Sequence, residues 1–216
     1  MKIIGYVATE SVPFVKVGGL ADVVGSLFKI FKKESFLFLP FYKHIKKKFK
    51  VKKIDEIEVF FSDNRREKCE IYKSEDFSNV FLIGNNHYFE REEIYGPSGN
   101  DYPDNLERFS FFSKSICEVC KHLNLKINIF HCNDWHTALV PLYLKLYYKD
   151  FFEDTKVIFT IHNIAYQGVF NSDKFPLLGL PWEFFSMEEL EFYGKINLMK
   201  AGIIHSDFIT TVSEKF

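Results

Sequence analysis

Apolar residues recur along the chain in two rhythms, and each change of rhythm marks an element. Short apolar runs without helical period occupy residues 2–8, 35–39, 80–84, 127–131, 157–161 and 208–212. Runs of this length, bounded by polar residues, predict buried strands. Residues 54–61 and 68–73 predict two further strands, with antiparallel pairing open to some of them. Helical spacing takes over at residues 20–31, 105–123, 137–148 and 187–201. In the second of these helices Leu106, Phe109, Phe112, Ile116, Val119 and Cys120 fall on one face. Strands that alternate with helices predict an α/β fold, a Rossmann-like, doubly wound and mostly parallel sheet covered on both faces. Ligands bind such sheets beyond the carboxyl ends of the strands. The polar clusters that follow predicted strands there are Asp134 to His136, and His162 with Asn163.

Composition narrows the function classes. The 216 residues are 47% hydrophobic, yet no apolar run approaches the roughly 18 residues of a membrane span. A net charge of -1 and a pI of about 6.7 leave no basic excess to hold nucleic acid. The local exception, Lys43 through Lys53, reads as a solvated loop in preference to a glucan or partner contact. No leader precedes the first apolar run, which implies a cytoplasmic protein. Cys117 and Cys120 sit inside a helical pattern with no second pair, so they read as reduced structural thiols. The 26 Phe and 11 Tyr fall mostly at buried-pattern positions and read as core filler. No repeat or Pro/Gly/Ser linker divides the chain, and a single domain is expected over residues 1–216.

After the first strand comes Glu10, then Lys16, Val17, Gly18, Gly19, Leu20, Ala21 and Asp22. A glycine pair lets backbone N–H groups approach an anion, the following helix adds its positive end, and Lys16 supplies a full charge. The loop lacks the spacing of a P-loop and of the dinucleotide fingerprint. By local chemistry alone, a tight structural turn fits as well as a phosphate cradle. His131, Asp134, His136, His162 and His205 offer no pair at zinc-protease spacing, and hydrogen bonding suits them better than metal ligation. No Asp-x-Asp is present to hold a metal-bound diphosphate, and no Gly-x-Ser-x-Gly elbow to supply a nucleophile.

Taken together these segments resemble the glycogen and starch synthases. Lys16 to Val23 is similar to their Lys-x-Gly-Gly-Leu signature, Asp134-Trp135-His136 to a second motif, and Thr160 through Gly168 to a third. Tyr102 to Asn105, Glu107 to Phe109, Asn197 to Gly202 and Thr210 to Ser213 follow in the family's order. The resemblance implies the amino-terminal half of a GT-B glycosyltransferase, with a carboxy-terminal nucleotide-binding domain absent from this chain and the chain alone inactive. It implies transfer of glucose from ADP-glucose, or UDP-glucose in some members, to the non-reducing end of an α-1,4-glucan with retention, and without a cofactor or metal.

By the same resemblance Lys16, Gly18 and Gly19 contact the distal phosphate or the adjoining sugar. His162 and Asn163 hold the donor glucose, with the His162 carbonyl near the anomeric carbon. Asp134 bonds sugar or acceptor hydroxyls, with helix capping as its structural alternative. Lys16, Asp134 and His162 are the catalytic set, and Tyr95 and Glu10 match cleft positions. Asn133 departs from the histidine common at that position and has no assigned role. Two other readings compete: a non-catalytic module that holds glucan or sugar nucleotide, and another nucleotide-sugar glucosyltransferase of the same architecture, such as a sucrose synthase relative. The motifs each follow a predicted strand, so Lys16, Asp134 and His162 are expected to converge at one sheet edge.

Overall fold

The computed structural model describes residues 2–62 and 65–213. Their strands are β1 (Ile4–Val7), β2 (Ser35–Pro40), β3 (Val51–Ser62), β4 (Arg65–Ser74), β5 (Val80–Gly84), β6 (Ile129–Asn133), β7 (Lys156–Ile161), β8 (Val169–Asn171), β9 (Glu191–Phe192), β10 (Lys195–Asn197) and β11 (Phe208–Thr211). The helices are α1 (Gly19–Ile30), α2 (Lys43–Lys48), α3 (Asn86–Phe89), α4 (Asn105–His122), α5 (Leu139–Tyr147) and α6 (Leu198–His205).

Eight strands form one sheet in the order β11-β7-β6-β1-β2-β5-β4-β3. The first six run parallel, and the long β4 and β3 extend that sheet by antiparallel pairing. Consecutive residues of β5 and nearly all of β2 are buried, which requires cover on both faces and explains their unbroken apolar runs. Lys52, Lys53, Asp55 and Glu56 fall in the amino-terminal half of β3, which is largely exposed. Aromatic rings fill the middle of the core, as in the stacked pair Phe38 and Phe81 and the edge-on pair Phe130 and Phe152.

Two segments depart from their sequence rhythm. Residues 187–201 carry helical spacing, but only Leu198–His205 is helical. Before it lies the β9–β10 hairpin, part of a second sheet in the order β8-β10-β9. Tyr193 and Gly194, both at positive φ, close that hairpin in two residues. Asn197 then accepts from the Lys200 N–H at 3.0 Å and starts the helix at Leu198, about three turns later than the spacing predicts. The lysine-rich run forms α2 and the start of β3, where an open loop was expected. Its charges pair with Glu92, Glu90, Glu56 and Glu70 at the surface.

Candidate active site

The strand order reverses at β1. From there the chain fills β2 and then, from the edge inward, β3, β4 and β5 on one side, and after α4 it crosses to β6, β7 and β11 on the other. The crevice beyond the carboxyl ends of β1 and β6 is therefore the switch point at which a doubly wound sheet opens to ligands. Because β1, β6 and β7 are adjacent and parallel, the loops that follow them share one edge. Lys16, Asp134 and His162 lie on those three loops.

The loop after β1 is tied down by its own carboxylate. Glu10 is 3% exposed. Its Oε2 accepts the Gly18 N–H at 2.8 Å and the Val17 N–H as well. Its Oε1 accepts the Tyr95 hydroxyl proton, so the Thr9 hydroxyl, 2.9 Å from Tyr95 Oη, donates to the tyrosine. Gly18 is extended, Gly19 opens α1, and no side chain caps that helix. Most described glycines either hold a positive φ or sit where a Cβ would press on a neighbour. Gly18 and Gly19 do neither: φ is not positive, and a Cβ at either would meet nothing within 4 Å. Lys16, about half exposed, places Nζ 2.7 Å from the Asp22 carboxylate.

Between β6 and β7 the polar groups form a second network. Asp134 stands at φ 56, a strained region for a residue with a side chain. Its N–H donates to the Thr160 carbonyl, and its Oδ1 accepts the His162 N–H at 2.8 Å. No side-chain cap is made to the turn that follows. Burial raises the Asp134 carboxyl to about 6, while the His162 and Asn163 N–H groups pull it down.

Asn133 sets the orientation of His162. Its amide nitrogen donates to the carbonyls of Val7 and His131, each at 3.1 Å. The amide oxygen must therefore face His162, and the 3.0 Å contact is a bond donated by His162 Nε2. Burial also lowers the pKa of His162, against the attraction of Glu10. The ring is neutral near pH 7, with its Nδ1 lone pair left over. Sequence reasoning left Asn133 without a role. The available signal was a polar amide at the buried carboxyl end of a central strand.

The remaining motif residues hold these loops together. Gly168 stands at φ 65, and a Cβ there would fall 2.5 Å from the Trp135 ring. This close approach locks the loop after β7 against the residue following Asp134. Asn197 donates to the Gln167 side chain at 2.8 Å, and the N–H groups of Leu198 and Met199 donate to the carbonyls of Gly168 and Gln167. Arg108, fully buried, binds the Tyr88 and Ile94 carbonyls and the Asn105 side chain, building the wall beneath Tyr95. Asn163 is exposed and turns its side-chain oxygen to the Ala165 N–H. His131 bonds Thr160 and His205 bonds Glu189. Among the described residues no group of three or more His, Cys, Asp or Glu is placed to hold a metal ion. No helix among them is long and apolar enough to cross a membrane.

A cavity of about 340 Å³ lies at the opposite edge, lined by Lys145, Lys149, Lys156 and Asp207 over Leu144 and Phe152. Lys156 begins β7 and Asp207 precedes β11, so this cavity faces the amino ends of the strands. It shares no residue with the crevice network.

Residues 3–216 match the starch synthase catalytic domain family. A glycogen synthase of Thermodesulfovibrio yellowstonii is 42% identical, the match covering 97% of this chain and 46% of that protein. One from a Hydrogenobaculum strain is 44% identical over 97% of this chain and 44% of its own length. The fold superposes with a TM-score of 0.86, at 30% identity, on the catalytic domain of starch synthase IV from Arabidopsis thaliana bound to ADP and acarbose. That match covers 98% of this chain and 45% of the plant chain. The chain thus spans about half the length of the curated relatives it matches.

Proposed function

Because the chain belongs to the starch synthase catalytic domain family, we propose that it is the amino-terminal half of a cytoplasmic glycogen synthase. The whole enzyme transfers glucose from ADP-glucose to the non-reducing end of an α-1,4-glucan with retention. A second, nucleotide-binding domain closes over the crevice described above. No metal or cofactor takes part.

The observation that carries this reading is the empty space at Gly18 and Gly19. Neither the backbone nor internal packing asks for a glycine at either position. A group from outside the chain that must approach the backbone closely does ask for it. The uncapped first turn of α1 presents N–H groups and the positive end of the helix dipole to that space. A diphosphate fits this chemistry, and Lys16 adds a mobile cation once it leaves Asp22.

Transfer separates charge: positive character grows on the sugar while negative charge grows on the leaving diphosphate. Fixed N–H dipoles and a lysine stabilise the second without reorganising. Asp134 holds the His162 and Asn163 backbone, and Asn133 holds the His162 ring. These two residues are thereby fixed where they contact the donor glucose. Neutral His162 avoids placing a second positive charge beside the developing one on the sugar.

The test is incorporation of labelled glucose from ADP-glucose into glycogen by the full-length protein, with UDP-glucose as the competing donor. ADP-glucose should be preferred, and residues 1–216 alone should give no incorporation. An inactive full-length protein, or a robustly active 216-residue chain, would contradict the proposal.

A further inference from the structure

A carboxylate in a crevice meant for a diphosphate is an electrostatic liability, since like charges in a poorly solvated space repel. Glu10 stands in that position, yet its lone pairs are turned away from any ligand. Two backbone N–H groups fill one oxygen, the Tyr95 hydroxyl fills the other, and the residue is 3% exposed. The loop geometry shows what this arrangement achieves. Residues 11–15 are held by their own turn, with Ser11 and Val15 exchanging backbone bonds of 3.1 and 3.0 Å and Phe14 buried beneath. Val17 is 61% exposed and Lys16 about half exposed, so packing does little to hold this stretch. Glu10 supplies the partner for the N–H groups of Val17 and Gly18, immediately before α1 begins.

We infer that Glu10 is the positioning residue of the glycine loop, a built-in anion that binds the Val17 and Gly18 N–H groups and so aims Lys16 and the uncapped turn of α1 at the donor. The inference rests on the reading above that the donor diphosphate sits at that turn. Glu10 itself does not touch the donor and is not displaced by it. The diphosphate meets the N–H groups of the first helical turn, while those of Val17 and Gly18 stay bound to the carboxylate. Tyr95 clamps the carboxylate, and Thr9 in turn holds the Tyr95 hydroxyl. The Tyr95 backbone is fixed by the Asn105 side chain at 2.9 Å, which links the loop to the start of α4.

Amide hydrogen exchange at Val17 and Gly18, read by NMR on the full-length protein, tests this without depending on activity. In the wild type both amides should be protected, with or without ADP-glucose. Glu10→Ala should raise their exchange by roughly tenfold or more through loss of charge-assisted bonds. Glu10→Gln should restore most of the protection, because its amide oxygen can accept both N–H groups while its NH₂ donates to Tyr95 Oη. Tyr95→Phe should give an intermediate effect, and with Glu10→Gln it keeps the test usable if the alanine variant does not fold. In kinetics, Glu10→Ala should raise the KM for ADP-glucose more than it lowers kcat and leave the KM for glycogen in place, with Glu10→Gln recovering most of the loss. Unchanged exchange in Glu10→Ala would overturn the inference. So would faster exchange of both amides on adding ADP-glucose, the sign of a displaced carboxylate. A Glu10→Gln variant as impaired as Glu10→Ala in kcat, at unchanged donor KM, would instead give the charge a direct catalytic role. If the full-length protein transfers no glucose, the exchange data still decide the role of Glu10.

Discussion

Replacing Lys16 by alanine separates the stability of the loop from its chemistry. Lys16 and Asp22 pair at the surface with each side chain about half exposed, and such pairs contribute roughly 0 to 1 kcal/mol. The melting temperature should therefore fall by no more than about 2 to 4 °C. Activity should respond differently if, as proposed, the ammonium faces a diphosphate in the closed enzyme with little water to screen it. A charge-assisted bond of about 1.5 to 3 kcal/mol is removed, which corresponds to roughly 13- to 150-fold in kcat/KM for ADP-glucose. The KM for glycogen should change little, since the acceptor lies on the other side of the bond being made. Lys16→Gln keeps length and hydrogen bonding without charge and should recover part of the loss. Asp22→Asn releases Lys16 from its resting partner and should leave the donor KM equal to or below that of the wild type. The assay is steady-state kinetics against both substrates in the full-length protein, with folding monitored by thermal melting. Donor kinetics close to wild type in a well-folded Lys16→Ala enzyme would leave this lysine as a surface residue with no part in donor binding.

Three further outcomes follow from the packing and the titrating groups. Gly168→Ala places a Cβ 2.5 Å from the Trp135 ring at a φ of 65, and should cost about 2 to 4 kcal/mol in urea unfolding; a neutral result would show that the two loops are not locked together. The folded pKa of Asp134, raised by burial to about 6, exceeds the unfolded one. The native state then binds the extra proton, and its contribution to stability is lost as pH rises from about 4 through 6. Asp134→Asn removes this loss, so its stability relative to wild type should rise by roughly 2 to 3 kcal/mol between pH 4 and 7; parallel pH profiles would contradict the assignment. Lys114 is buried in a cage of Phe61, Tyr143 and Tyr147, and burial lowers its pKa to about 8. Lys114→Met should stabilise the fold by about 1 to 3 kcal/mol below pH 8. That gain should shrink toward pH 10.5 as the wild-type native state sheds its proton before the unfolded chain does, and destabilisation at pH 7 would show that the aromatic cage outweighs burial.

The parallel strands were legible because burial on both faces leaves short apolar runs, as in Val80–Gly84, and the motif loops were legible because they follow such runs. Residues 187–201 misled for a physical reason: apolar residues spaced for a helix also serve a hairpin when a Tyr-Gly pair takes positive φ between them. The lysine run hid α2, since its buried face holds a single residue, Ile45. At the site, sequence order revealed which residues share an edge but not which groups they bind. Asp134 could have capped the next helix; instead its carboxylate crosses to His162, 28 positions away. Glu10 and Tyr95 meet across 85 positions, and Asn133 reaches both Val7 and His162. Such bonds depend on strand order, which local patterning does not contain.

On the proposed reading the donor sits at the carboxyl edge of β1, β6 and β7 and not in the lysine-lined cavity at the opposite edge. Titrating ADP-glucose into the isotope-labelled full-length protein and following its backbone amide resonances tests this directly. Saturable shifts at Gly18, Gly19, His162 and Asn163 are expected, with Lys145, Lys149 and Lys156 unmoved. Saturable shifts confined to the three lysines, with the glycine loop silent, would contradict the account.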